Sequence, residues 1–327
     1  MIKLSQNFAY IILQLVLLPI SLLGALYALQ KEKKISKRLN ISYTAGQVIQ
    51  GQWILHYFGI REDKKIIKFI KNFPAESHIG FYMMMMPAII ANRISGFIPK
   101  ALTKENLKKI SSYSFLFFRT KKFDTIIAEN INKMNQVVII GAGFDLRANN
   151  IKNSKIRIFE LDKKNTQDLK IKTLKKAKIY DNRITYINCD LNNTDWPKEL
   201  INNGFDKSKK TLFLFESVSC YLERKIVENT FIKISSLSAK GSILAQDFYS
   251  TKFLHGNEFK RVKKGKELVK KFGENWKFTI DMSKDINKEI EQLFKTYNLI
   301  NEEVFICGEQ STKSKEPFYV ISLARVI

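Results

Sequence analysis

The stretch Gln136-Val137-Val138-Ile139-Ile140-Gly141-Ala142-Gly143-Phe144-Asp145-Leu146-Arg147 decides how the rest of the chain is read. An apolar run of strand-forming residues passes straight into a Gly-Ala-Gly turn. A continuous apolar run is the signature of a parallel strand buried on both faces. Glycines directly after it permit a sharp turn and let a ligand approach the backbone closely. The dinucleotide fingerprint G-x-G-x-x-G is excluded, because its third glycine would fall at Leu146. An ordinary strand end with a glycine turn would look the same over so few residues. The surroundings must therefore discriminate.

Outward from this stretch the pattern alternates. Strands are expected at Gln136–Ile140, Ile156–Glu160, Ile184–Asn188, Thr211–Phe215 and Ser242–Gln246. Helices are expected between them at Lys163–Lys178, Trp196–Asn203 and Glu223–Leu237. Such alternation predicts an α/β fold with a parallel sheet covered on both faces. The tail differs: Glu303–Cys307 and Pro317–Leu323 are joined by a polar loop with no helix, which predicts an antiparallel hairpin. In open α/β sheets ligands bind beyond the carboxyl ends of the strands, near the point where strand order reverses. The strand ends here carry Gly141 and Gly143, then Glu160 and Asp162, then Asp190 and Leu191, then Glu216 followed by Tyr221. An acid about twenty residues beyond the glycine turn suits the two hydroxyls of a ribose. Asp190 beside Leu191 suits the amino group and face of an adenine. No phosphate-binding P-loop is present. A nucleoside without phosphate and with a cationic centre fits this acid-rich set, and S-adenosylmethionine has that character.

Read in order, Phe118-Arg119-Thr120-Lys121-Lys122-Phe123-Asp124, GAGFDLR, Phe159-Glu160-Leu161-Asp162, Cys189-Asp190-Leu191 with Trp196, and Glu216 with Tyr221-Leu222 resemble the leucine carboxyl methyltransferase family of S-adenosylmethionine-dependent enzymes. Bacterial members of that family are described as O-methyltransferases. The resemblance covers roughly Ser111 to Asp247. It implies a Rossmann-like seven-stranded sheet, mostly parallel, closed by the C-terminal antiparallel hairpin. It also implies that Arg119 pairs with the methionine carboxylate of the cofactor and that Gly141 and Gly143 admit it to the backbone. By the same resemblance Asp162 holds the ribose, Asp190 and Leu191 the adenine, and Glu216 lies near the amino or sulfonium end. Two departures stand out: Leu146 replaces the family's usual Ser/Thr, and Ser217 replaces the glycine that often follows the acid. Asp145 and Arg147 read equally as ligand contacts or as an ion pair bracing the turn.

A net charge of +24 favours anionic partners, although the lysines are spread along the whole chain. The three cysteines are far apart, which argues against a disulfide framework or zinc site and is compatible with a reducing cytoplasm. Phe8 to Leu29 is apolar apart from Gln14 and Ser21, long enough to cross ~30 Å of hydrocarbon as a helix. Lys31, Lys33, Lys34, Lys37 and Arg38 follow it, so an anchor here would leave the long C-terminal part in the cytoplasm. A signal peptide and a helix docked on the remaining chain are the alternatives, the latter consistent with a cytoplasmic protein. Residues 39–118 read as a helical cap over the acceptor, including the flexible Met83-Met84-Met85-Met86-Pro87 run. The expected division is therefore an anchor over 1–38, the cap over 39–118 and the methyltransferase domain over 119–327.

The expected chemistry is O-methylation of a carboxylate or hydroxyl on a small acceptor, with no metal. A carboxylate acceptor is already ionised and needs no base. A hydroxyl would profit from one, with Tyr221 first and His56 or His255 as further candidates. A non-catalytic membrane- or partner-binding protein on the same fold is the competing reading. A nucleic-acid methyltransferase is weaker, because Phe215-Glu216-Ser217-Val218 stands where an N-P-P-[YF] motif would be.

Overall fold

The computed structural model describes residues 2–112, 114–192, 195–256, 262–263, 266–267, 270, 275–312 and 315–327. The chain divides into two units: Met1–Lys104 with Asp168–Tyr180, and Glu105–Gln167 with Asp181–Ile327.

The second unit is built on a seven-stranded sheet of order β3-β2-β1-β4-β5-β7-β6. Its strands are β1 (Gln136–Ile140), β2 (Arg157–Asp162), β3 (Ile184–Asn188), β4 (Thr211–Phe215), β5 (Ile243–Tyr249), β6 (Leu299–Cys307) and β7 (Tyr319–Val326). The first five are parallel, and β7 pairs antiparallel with both β5 and β6. This is the expected architecture. Successive side chains of a strand point to opposite faces, so Val138 and Ile140 enter one apolar cluster with Phe159, Phe213 and Phe231. Val137 and Ile139 enter another with Ile158, Leu214 and Phe123. Strand β2 runs two residues past the expected end because Asp162 pairs with Asn188 of β3. Strand β5 reaches Tyr249 because β7 continues to pair with it there. Chain order runs outward from β1 to β2 and β3, then returns to β4 on the other side of β1. The reversal between β1 and β4 is where this topology opens a crevice.

The first unit is helical. Helices α1 (Ile2–Val16), α2 (Leu18–Leu39), α3 (Tyr43–Tyr57), α4 (Lys64–Asn72) and α5 (His78–Ser95) follow one another. Local caps set their limits: Ser42 accepts from the Ala45 amide, Asp63 from the Lys65 and Ile66 amides, and Ser77 from the Gly80 amide. The expected single helix over Phe8–Leu29 is broken. Gln6–Val16 and Leu18–Leu39 meet at a bend of 71°. Pro19 explains the break, since it sits in the first turn of α2, where a residue without an N–H is favoured and continuation from α1 is not. Among the described residues no single helix is long and apolar enough to cross a membrane. A straight spanning anchor is thereby corrected to a bent helical pair.

Helix α2 approaches α5 through small residues. A Cβ added at Gly24 would lie 2.6 Å from the Gly80 carbonyl oxygen, and one at Gly80 would lie 2.9 Å from the Gly24 carbonyl oxygen. Pro87 inside α5 deprives the Met83 carbonyl of its helical donor. The Ser21 hydroxyl supplies a long contact to that same carbonyl, at 3.5 Å. Further along, Glu76 is buried with both carboxyl oxygens 3.1 Å from the Gln50 amide nitrogen. Burial, with the Glu32 carboxylate beside it, pushes Glu76 up to about 9.

Candidate methyl-donor site

The turn after β1 is fixed by its backbone. Gly141 has φ 69° and donates its N–H to the Leu161 carbonyl at 2.8 Å. Any Cβ there would lie 2.4 Å from Val218, so both conformation and space require glycine. Gly143 has φ 52°, and its N–H donates to the Asp162 carboxylate at 2.5 Å. The acid ending β2 therefore grips the turn following β1. These are the residues that the sequence places together.

Beside that turn lies an ionic network formed by the end of β4, α6 (Phe115–Asn130) and the short α7 (Arg147–Asn150). Glu216 bridges two buried guanidiniums, at 2.7 Å from Arg119 Nε and 2.5 Å from Arg147. Arg147 also contacts Asp124 at 2.6 Å, the Asp145 carboxylate and the Thr120 carbonyl. The Asp145–Arg147 pair is thus a brace for the turn. Burial pushes Glu216 up from its ordinary value, against the pull of Arg147 and Arg119. Burial would lower Arg147, but Asp145, Glu216 and Asp124 outweigh it and hold it charged.

A second layer holds this network. Ser217 has φ 56°, a left-handed conformation that favours the glycine common in the resembling family. Its amide donates to the buried Asp247 carboxylate at 2.7 Å, and its hydroxyl lies 3.1 Å from the same group. Tyr319 also donates to Asp247, at 2.9 Å. Arg119 donates to the Ser217 hydroxyl and, at 2.9 Å, to the Tyr249 hydroxyl. Burial raises Asp247, Tyr249 and Tyr319 alike. Sequence reasoning missed Asp247, Tyr249 and Tyr319. A lone acid inside the apolar strand Ile243–Tyr249 was the available signal, since an ionisable group buried in a strand needs partners.

Asp190 and Leu191 follow β3, one strand farther along. Asp190 accepts from the Asn192 amide and side chain at 3.1 and 2.8 Å and lies 3.8 Å from Lys163 Nζ. Its partial burial raises its pKa, but these hydrogen bonds and Lys163 outweigh that and lower it. Leu191 packs half-buried against the core. Tyr221 ends a short turn after β4 and packs on the other apolar cluster. The remaining two base candidates have local partners: His56 Nδ1 accepts from the Asp63 amide at 3.0 Å, and His255 lies 2.8 Å from Lys266 Nζ. Among the described residues no group of three or more His, Cys, Asp or Glu could hold a metal ion.

The sheet order, the glycine turn clasped by Asp162 and the carboxylates at successive strand ends define an S-adenosylmethionine-dependent methyltransferase fold. The chain belongs to the leucine carboxyl methyltransferase family, whose sequence model matches residues 69–235, about half of the chain. A protein of Mycolicibacterium paratuberculosis, provisionally named an S-adenosyl-L-methionine-dependent methyltransferase, is 33% identical over 130 residues, covering 39% of this chain and 43% of that one. A similarly named protein of Mycolicibacterium smegmatis is 31% identical over 148 residues, covering 44% and 49%. The chain thus spans under half the length of the curated relatives it matches. Among solved structures, an O-methyltransferase family protein from Burkholderia thailandensis aligns with TM-score 0.44 at 10% identity, covering 65% of this chain and 57% of that one. Geranyl diphosphate C-methyltransferase from Streptomyces coelicolor aligns with TM-score 0.45 at 12% identity, covering 70% and 85%. S-adenosylmethionine is the family's methyl donor, and the donor set fits it: carboxylates for hydroxyl and amino groups, a guanidinium for a carboxylate, and no phosphate cradle.

Proposed function

We propose that this chain is an O-methyltransferase that moves the methyl group of S-adenosylmethionine to a carboxylate or hydroxyl oxygen of a small acceptor. The observation that carries the reading is the glycine turn at the β1–β4 reversal, clasped by Asp162 and flanked by the Glu216 bridge between Arg119 and Arg147. When bound, the cofactor would supply a methyl group activated by its positively charged sulfur, which would leave with the carbon–sulfur bonding electrons as the acceptor oxygen took the methyl group. The protein's part is then approach, orientation and exclusion of water. Asp162 would hold the ribose hydroxyls, with Gly141 and Gly143 leaving the backbone open beside them. Asp190 and Leu191 would hold the adenine. Arg119 would hold the amino-acid carboxylate, and Glu216 would bias the site toward a cation.

A carboxylate acceptor requires no proton transfer, whereas a hydroxyl must lose a proton, for which Tyr221 is the candidate base. Calorimetric titration with S-adenosylmethionine is the direct test. The full chain is expected to bind and Asp162→Ala to lose at least about tenfold in affinity, as loss of a charge-assisted hydrogen bond implies. No binding by the full chain would sink the proposal. Alkali treatment of the labelled product separates the two acceptor classes: a methyl ester releases its label as methanol and a methyl ether keeps it.

A further inference from the structure

Helix α2 carries its apolar residues on the wrong side for a helix in water. Its buried residues are Ser21, Gly24, Ala28, Glu32 and Ser36, spaced three or four apart along one face. Its large apolar residues point outward: Leu23 is 62% exposed, Leu26 56% and Tyr27 57%. Helix α1 adds Phe8, Leu15 and Val16, all more than half exposed. A surface helix of a water-soluble domain turns its apolar stripe inward. Small and polar residues at the helix–helix contact with large apolar residues outside is the arrangement of helices packed in lipid. An exposed apolar patch of this extent marks an interaction surface.

The charges beyond the patch identify the occupant. Lys33, Lys34, Lys37 and Arg38 are exposed on the following turns of α2, while the one acid among them, Glu32, is buried. The outward charge beside the apolar patch is therefore entirely positive. The apolar part of α2, Leu18–Leu29, is 12 residues long, which is about 18 Å of helix. With a bend of 71° before it, it falls short of ~30 Å of hydrocarbon.

We propose that α1 and the first half of α2 form an in-plane membrane-docking surface that buries its leucine face in one leaflet. Lys33, Lys34, Lys37 and Arg38 engage anionic headgroups. This inference stands apart from the cofactor site. Vesicle flotation of the full chain tests it, using phosphatidylcholine alone and phosphatidylcholine with phosphatidylglycerol. The expected result is binding to the anionic vesicles, weakened by high salt. Leu23→Asp and Leu26→Asp should each weaken binding by about tenfold or more, since a buried leucine face is replaced by charge. Thermal melting should be unchanged in both, because these side chains are exposed. Lys33→Glu with Lys34→Glu should weaken binding to the anionic vesicles while leaving the melt unchanged. Absence of binding to either vesicle overturns the proposal. So does binding indifferent to both salt and the lysine changes, which indicates a spanning anchor. A dimer that the aspartate variants dissociate, seen by sedimentation without vesicle binding, assigns the patch to a second copy instead.

Discussion

The sheet unit and helix α2 of the helical unit use the same residue types in opposite ways. In the sheet unit, leucine, isoleucine and phenylalanine are inside, and the buried charges of Arg119, Arg147 and Asp247, with the partly buried Glu216, are cross-linked near strand ends. In α2, leucines are outside and Ser21, Gly24 and Ala28 are inside. The contrast teaches that water organised one unit's core, whereas close backbone approach organised the other's helix contact. Stability in the sheet unit rests on apolar burial and an ionic network. At the α2–α5 contact it rests on close backbone approach at Gly24 and Gly80.

That difference can be broken at graded cost. Glu216→Ala should act most strongly, because it removes the carboxylate that bridges two buried guanidiniums. A loss of about 3–5 kcal/mol in urea unfolding is expected for such a partner removal, with Arg119 and Arg147 also losing their shared orientation. Leu214→Ala, deep in β4 at 2% exposure, should cost about 2–5 kcal/mol by the same measurement. Gly24→Leu tests the helical unit: the added Cβ meets a backbone carbonyl at 2.6 Å that cannot swing aside, so about 1–3 kcal/mol should be lost. Leu26→Ser, the same kind of truncation as Leu214→Ala but on the outward face, should change stability by less than about 0.5 kcal/mol in vesicle-free buffer. A large loss there would mean the leucine face is covered in solution.

Glu76 sharpens the comparison through pH. Its carboxyl is raised from an ordinary 4.5 to about 9, so the folded chain holds a proton that the unfolded chain releases. The stability tied to that proton is present below about pH 4.5 and is lost as pH rises through the folded value. Glu76→Gln keeps a neutral side chain at every pH. Its melting temperature should therefore fall less between pH 6 and pH 8 than that of the parent, with a gain on the order of 1 kcal/mol at pH 8. Parallel pH profiles for the two proteins would refute the assignment.

Much of the sheet was legible in the sequence because its information is local. Five apolar strands separated by helical patterns, and a tail without a helix, admit few topologies. Strand ends slipped by two or three residues at Asp162 and Tyr249, where pairing with a neighbour extends the strand beyond its apolar run. The glycine turn, Asp162, Arg119 and Glu216 were legible as an ordered set. What could not be read was which of them bind one another: Arg119 and Glu216 lie 97 positions apart in the chain, yet form an ion pair. Asp247 and Tyr249 escaped notice because they lie past Gln246, where the strand was expected to end, and Tyr319 because it lies in the tail hairpin, away from the strand ends searched for ligands. At the amino end Pro19 was treated as tolerable within a helix when it begins a new one.

Ser217 has one more consequence. A glycine at that position would adopt the left-handed turn freely and could let it swing. The serine takes the less comfortable backbone and ties it through one hydroxyl to Arg119, Asp247 and Tyr249. A joint that could have been a hinge is thereby a rivet. The turn after β4 is held by partners on two other elements, Arg119 of α6 and Asp247 and Tyr249 of β5.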